Sequence, residues 1–195
     1  YNEYGISVID KEKCIRCGKC IHSCPFGAIA SKTFIVPVIE ALKAGKHIYA
    51  MAAPATEGQF GVDITMASWK KAMKEMGFTD FYDVGLGGDM TAAYEAEEWA
   101  EAYKEGNKKV TSCCPAFVNM VRLHYPELAE CVSTTVSPMC AVSRLIKAKD
   151  PEAITVFIGP CVAKKSEVAD QKIEGNADYV LTYSEIRAMM KAKGV

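Results

Sequence analysis

The chain is poor in several features that would narrow its role. Its 24 acidic and 23 basic side chains nearly cancel, leaving a formal charge of −1 over 195 residues. That balance carries no electrostatic footprint for nucleic acid or for an anionic membrane surface, so neither is expected as a partner. No apolar run reaches the roughly 18–20 residues that cross a bilayer. There is no internal repeat and no low-complexity linker. The three histidines, His22, His47 and His124, lack metal-ligand spacing and read as structural or surface groups. "GLGG" at Gly85–Gly88 falls short of a dinucleotide fingerprint. An initiator methionine is also missing, since the chain opens on Tyr1. A fragment is expected, read as cytoplasmic, with any signal peptide lying upstream of Tyr1.

Cysteine, by contrast, is abundant. Nine occur, four in one tight run and two side by side, among residues that are half hydrophobic. A secreted disulfide scaffold favours a shorter chain and an even count. Metal ligation in a reducing compartment fits the pattern better. The length suffices to bury one α/β domain with a small appendage.

The composition changes near residue 31. Residues 1–31 read as a small ferredoxin-like α+β module, with "YGISVIDKEKC" as a short strand and turn. Residues 32–195 alternate between strand and helix patterns. Strands are expected at "HIYAMAAP", "DFYDV", "KKVTSCC", "AITVFIGP" and "DYVLT". Helices are expected over "FIVPVIEALKAG", Thr65–Met76, Met90–Tyr103, "PAFVNMVRLHY" and "PMCAVSRLIKAK", with a short one after Cys161 and a last one from Ser184. Apolar strands separated by helices predict a mostly parallel sheet flanked by helices on both faces.

Cys14, Cys17, Cys20 and Cys24, followed by Pro25, form C-x2-C-x2-C-x3-C-P. Three thiolates at this spacing wrap one face of a [4Fe–4S] cube, and the Cys-Pro step marks the remote fourth ligand. Zinc favours two separated pairs over a compact quartet. In two-cluster ferredoxins the fourth cysteine serves the other cube. Cys24 therefore ligates either this cluster or a companion whose cysteines lie upstream of Tyr1; "NEYGISVIDKEKC" reads as the middle of a two-cluster module, which favours the companion.

A second constellation gathers at the predicted carboxyl ends of strands, where ligands of open α/β sheets bind. It comprises Ala53-Pro54, Cys113-Cys114 and Pro160-Cys161, with Lys164 one helical turn beyond Cys161. Glu95 and Glu98, three apart on a predicted helix, share a face. Adjacent residues at a strand end point to opposite sides, so Cys113 and Cys114 can do different work. Cys131 and Cys140 read as buried thiols, and Trp69 and Trp99 as core or lobe-interface residues. Methionine, also nine in number, suits adaptable core packing.

"TSCCPAF" (Thr111–Phe117) and "GPCVAKKSE" (Gly159–Glu167) resemble the first two signature motifs of the [FeFe]-hydrogenases. "APA" at Ala53–Ala55, "DMTAAYEAEE" at Asp89–Glu98 and "STTVSP" at Ser133–Pro138 fall in the same order, and a ferredoxin run precedes them. The resemblance covers essentially the whole chain. It implies reversible reduction of protons to H2 at an H-cluster, a [4Fe–4S] cube bridged to a two-iron subsite. Cys114 and Cys161 are then cube ligands and Cys113 the proton-passing thiol. Lys164, with Ala53 and Pro54, would hold the two-iron subsite. A proton route would run through Glu98, Ser133 and Glu95 to Cys113. Ferredoxin or a similar electron carrier, and maturation proteins for the subsite, are the implied partners.

The chain departs from the family at several points. The third signature, which brings the last two cube cysteines, is absent, so the fragment itself is expected to be inactive. Gly159 stands where relatives usually carry a bulky Met, Met139 replaces a polar residue, and Phe117 replaces a Trp. Three competing roles are an H2-sensing relative, an iron–sulfur assembly protein that has no use for Cys113, and a plain electron carrier.

Overall fold

A computed structural model describes residues 2–195. Among the described residues a short helix, α1 (Lys19–Ser23), is the only regular element before residue 35; α2 (Ile35–Lys43) then leads into β1 (Ile48–Ala52). A 3₁₀ turn at Pro54–Thr56 precedes α3 (Met66–Met76), β2 (Asp80–Asp83) and α4 (Gly85–Lys104). Next come α5 (Pro115–His124), a second 3₁₀ turn (Pro126–Cys131), α6 (Pro138–Lys149) and β3 (Ile154–Gly159). The chain continues through α7 (Lys164–Glu167), β4 (Tyr179–Thr182) and α8 (Tyr183–Lys193).

The four strands pair in parallel in the order β2-β1-β3-β4. Parallel neighbours need crossover helices, and these cover both faces. On one face Ile48, Ala50, Ala52, Val156, Ile158 and Leu181 pack against α2, α3 and α8 through Val38, Trp69, Met73 and Ile186. On the other, Met51, Phe157 and Val180 meet Met139, Val142 and Ile146 of α6. The alternation of side chains along β1 and β3 is what divides the core in two. The expected α/β fold with a parallel sheet is the one observed. No helix among the described residues is long and apolar enough to cross a membrane.

Helix ends follow local chemistry. Thr65 caps α3 by accepting from the Ser68 amide, and Gly77 ends it at φ 104° in the left-handed region. Ser137 caps α6 in the same way, with Pro138 at its first position. Thr182 and Glu185 form a reciprocal capping box on α8.

Four local expectations are corrected. Residues 5–10 form no strand, because no other segment among the described residues lies alongside to accept their hydrogen bonds. "KKVTSCC" is not a sheet strand either: it makes a single parallel bridge, Val110 to Val132, away from the four-stranded sheet. Helix α4 begins at Gly85, five residues before the expected start. Its glycines have low helical propensity, but at Gly87 a Cβ would lie 2.2 Å from the Pro138 carbonyl oxygen. Close approach of α4 to α6 therefore requires a glycine there. Of the two tryptophans read as core or lobe-interface residues, Trp69 is in the core, whereas Trp99 is half exposed and so not a core residue, its indole N–H donating to the Lys109 carbonyl at 3.0 Å.

Candidate metal centre

The N-terminal cysteines lie on a loop shaped by backbone rather than by packing. Cys14 and Cys24 are half-buried, and Cys17 and Cys20 are exposed. Gly18 stands between Cys17 and α1 with φ 77°, and its carbonyl accepts from the amides of Ile21 and His22. Arg16 also adopts a positive φ, 62°. The amides of Ala28 and Phe26, with those of Ile29 and Gly27, surround the Cys24 thiol and hold it below its ordinary value. Amides turned toward sulfur favour the thiolate, the ligating form. This donor set fits an iron–sulfur cube. Among the described residues no three His, Cys, Asp or Glu side chains stand together as a ready metal-binding group. Thiolates repel one another, and binding and ordering of such a shell are coupled.

The same loop is docked on the larger domain. Asn119 of α5 donates to the Ile15 carbonyl at 3.3 Å, and His124 Nε2 lies 2.9 Å from the Lys13 carbonyl oxygen. Gly18 rests on Val162, where an added Cβ would fall 2.2 Å from Val162 Cγ2. The first cysteine loop thus touches the residue that follows Cys161.

At the carboxyl edge of the sheet, two of the three expected segments meet directly. Ala53 N donates to Ile158 O at 2.9 Å, which sets Ala53-Pro54 beside Gly159-Pro160-Cys161. Cys113-Cys114 arrives by another route. It lies on the turn leading into α5, where Cys114 occupies the N-cap with extended dihedrals (φ −100°, ψ 109°). Both thiols are exposed, and Cys161 is half-buried.

Lys164 joins these turns. Its Nζ donates to the Cys113 carbonyl at 3.0 Å and to Glu167 Oε2 at 2.7 Å, and its side chain is only 12% exposed. Glu167 accepts a further hydrogen bond from Ser137 Oγ. A half-buried cation held between a carboxylate and a carbonyl has a fixed position, and its third N–H has no protein acceptor among the described residues.

Glu95 and Glu98 share a face of α4, but each holds a different loop. Glu95 Oε1 accepts from Thr111 Oγ1 at 2.8 Å and from the Ser112 amide at 3.2 Å. Glu98 Oε1 accepts from the Thr134 amide at 3.1 Å and from the Thr134 hydroxyl. Burial pushes the Glu98 carboxyl up, yet the Ser133 and Thr134 hydrogen bonds outweigh it and hold the group below its usual value. Ser133, buried, accepts from the Thr135 amide at 3.0 Å. Among the described residues no hydrogen bond joins Ser133 to Glu95, or Glu95 to the Cys113 thiol; Thr111 bonds the Cys113 amide instead.

Comparison with known proteins gives this arrangement its context. Residues 46–195 match the family model "Iron only hydrogenase large subunit, C-terminal domain", and residues 7–30 match "4Fe-4S binding domain". The chain belongs to the iron-only hydrogenase family. It is 27% identical to the NADP-reducing hydrogenase subunit HndD of Solidesulfovibrio fructosivorans, over 93% of this chain and 36% of that protein. It is 32% identical to the periplasmic [Fe] hydrogenase large subunit of Nitratidesulfovibrio vulgaris, over 96% of this chain and 58% of that protein. A shorter match, 34% identical over 40% of this chain, links it to the cytosolic Fe-S cluster assembly factor NAR1 of Kluyveromyces lactis. The chain thus spans between about a third and somewhat over half of the two longer-matching relatives.

Within this iron-only hydrogenase chain, the N-terminal cysteine run is a 4Fe–4S motif. The glycine at position 159 has a structural counterpart: a Cβ there would lie 2.7 Å from Phe157 Cε1, so the Phe157 ring occupies the space a larger residue 159 would need. Sequence reasoning missed Glu167 and Ser137, the partners that fix Lys164. The Lys164–Glu167 spacing of three was a usable signal; Ser137 offered none, since it lies 30 positions from Glu167 in sequence. Cys140 is buried, with its thiol pushed up by desolvation, and Cys131 is half-buried.

Proposed function

We propose that this chain carries the electron-entry cluster and the first lobe of a site for reversible proton reduction, 2H⁺ + 2e⁻ ⇌ H2, in the full-length protein. Electrons would come from ferredoxin or a similar carrier, and the second centre would depend on maturation proteins. The observation that supports this reading best is Lys164, half-buried between the Cys161 turn and the Cys113 carbonyl with one N–H to spare among the described residues.

Cys114 and Cys161 would hold the cube of the H-cluster, which when bound supplies the iron chemistry at which protons and electrons combine. Lys164 would offer its free N–H to an anionic ligand, supported by the backbone at Ala53 and Pro54. Glu167 keeps that ammonium in place, since a lone buried cation is strongly disfavoured. Cys113, one residue from the proposed ligand Cys114, would supply the thiol that passes protons to the reacting centre. Glu98 remains a carboxylate at neutral pH and so can collect a proton from solvent. Passing it on to Cys113 by way of Ser133 and Glu95 requires water between the side chains.

Cys113→Ser in the full-length protein tests the assignment. H2 turnover is expected to fall on the order of 10²–10⁴-fold, the usual contribution of a positioned acid–base group, with infrared bands of metal-bound CO and cyanide retained. Unchanged turnover would overturn it. The 195-residue chain alone is expected to bind a 4Fe–4S cluster and to show no H2 activity.

The NAR1 match favours a second reading, an iron–sulfur assembly role without a two-iron subsite. That reading has no use for Cys113. Absence of the CO and cyanide bands from matured full-length protein, together with cluster transfer to an acceptor, would decide for it.

A further inference from the structure

We propose that Lys165, the neighbour of Lys164, is a positioning residue that sets the cysteine loop of residues 14–24 against the Cys161 turn. The proposal rests on reading residues 14–24 as the electron-entry cluster, and it concerns how that cluster is held.

Lys165 turns away from the Cys113 side and spends all three of its N–H donors on protein. Nζ donates to Ser31 Oγ at 3.2 Å, to the Lys32 carbonyl at 2.9 Å and to Glu185 Oε1 at 2.7 Å. The side chains of Lys165 and Glu185 are 7% and 13% exposed. Glu185 is itself immobilised, because its other oxygen accepts from the Thr182 amide at 2.7 Å and the Thr182 hydroxyl at 2.9 Å. Thr182 ends β4, in the four-stranded sheet. The anchor is therefore the sheet, and the load is the strap of residues 31–33 that ties the cysteine module to α2.

The module needs such an anchor. None of residues 2–33 is buried, so apolar burial does little to hold it. Its other polar ties, Asn119 to Ile15 and His124 to Lys13, go to a helix surface, and His124 is exposed. A buried, fully satisfied ammonium is the more stringent device, because separating it from Glu185 and the two strap oxygens leaves desolvated groups unpaired. Lys165 also lies three residues beyond Val162, the residue on which Gly18 rests. Strap anchor and loop contact are thus built on one short segment, Val162–Glu167. Gly18 lies between Cys17 and Cys20, and Val162 follows Cys161. The placement of this segment sets how closely the two sets of thiols approach, and electron transfer between centres weakens steeply with separation.

Lys165→Met, Lys165→Arg and wild type are compared as the 195-residue chain loaded with its 4Fe–4S cluster. Hydrogen exchange reads the backbone, and paramagnetic broadening of the Val162 methyl resonances by the reduced cluster reads the approach of the loop. In Lys165→Met, amides of residues 13–18 and 31–34 are expected to exchange at least roughly tenfold faster, with β1–β4 changed less than about twofold. The Val162 methyl lines should narrow, and Lys165→Arg should restore much of the broadening. Loosening confined to residues 31–34, with residues 13–18 and Val162 unaltered, overturns the proposal. So does an equal increase across β4 and α8, which would make Lys165 a bolt of the whole fold. If Lys165→Met does not fold, Ser31→Ala, which removes one strap acceptor and keeps the ion pair, is read by the same criteria. A wild-type chain that never acquires a cluster spectrum overturns the cluster reading alone, and hydrogen exchange then judges Lys165 by itself.

Discussion

Residues 2–33 and the sheet domain that follows are ordered by different forces. In the sheet, Ile48, Ala50, Val156, Ile158, Val180 and Leu181 are completely shielded from solvent, and strand register matches side-chain alternation on both faces. The module has no buried residue and one helix of five residues. Its shape comes from left-handed turns at Arg16, Gly18 and Gly27, from amides gathered around Cys24, and from contacts with the larger domain. A hydrophobic core tolerates varied residues if volume and pattern are kept. A loop shaped around ligands depends on a few residues, with the metal supplying much of the order. The two lysines of α7 act in different directions, Lys164 toward the Cys113 turn and Lys165 toward the strap of residues 31–33.

The contrast can be tested at decreasing amplitude. Chelating the iron should have the largest effect and a localised one: hydrogen-exchange protection in residues 13–29 is lost while β1–β4 keep theirs. Parallel loss in the strands would show that the two regions form one cooperative unit. Trp69→Ala should act in the opposite place, lowering stability by about 3–5 kcal/mol in chemical denaturation through a cavity between α3 and the sheet, with the cluster spectrum unaltered.

An acid titration probes the link between the regions. Burial pushes Glu185 up, but Lys165, the Thr182 amide and the Thr33 and Thr182 hydroxyls outweigh it, so its folded-state value is depressed. A depressed carboxylate contributes stability that is fully present above the unfolded value, near ~4.3, and is lost as pH falls through the folded value. Glu185→Gln should therefore flatten the acid limb of the stability curve. An acid limb unchanged in the variant would remove Glu185 from the link. Lys71→Ala should do least, since its pairing with Glu75 at 3.9 Å is exposed; a change within about 0.5 kcal/mol is expected.

Much of the sheet domain could be read from pattern. The apolar runs of β1, β3 and β4, the capping threonine and terminal glycine of α3, and the Ser-Pro start of α6 each carry their cause locally. The failures were also physical. "YGISVIDKEKC" and "KKVTSCC" alternate like strands, but a strand exists only where another accepts its hydrogen bonds, and neither finds a sheet neighbour. Helix α4 begins early because the gain at Gly87 is a contact with Pro138, 51 positions away in sequence, not a local propensity. In the site, every cysteine and both glutamates were nameable from motifs, and their partners were not. Thr111, Thr134 and Glu167 matter through what they bond across the fold.

Residue type and spacing alone determined the chemistry on offer: four thiols spaced for a cube, a cysteine pair, a further cysteine with a lysine one turn beyond, and strands apolar enough for a parallel sheet. These follow from covalent spacing and hydrophobic period, which a chain carries whether folded or not. Only the tertiary structure decided that Lys164 and Lys165, adjacent in sequence, face different tasks, and that Gly18 rests on Val162. Such facts depend on which distant segments meet once apolar surface is buried, and on which polar groups must then find partners out of reach of water.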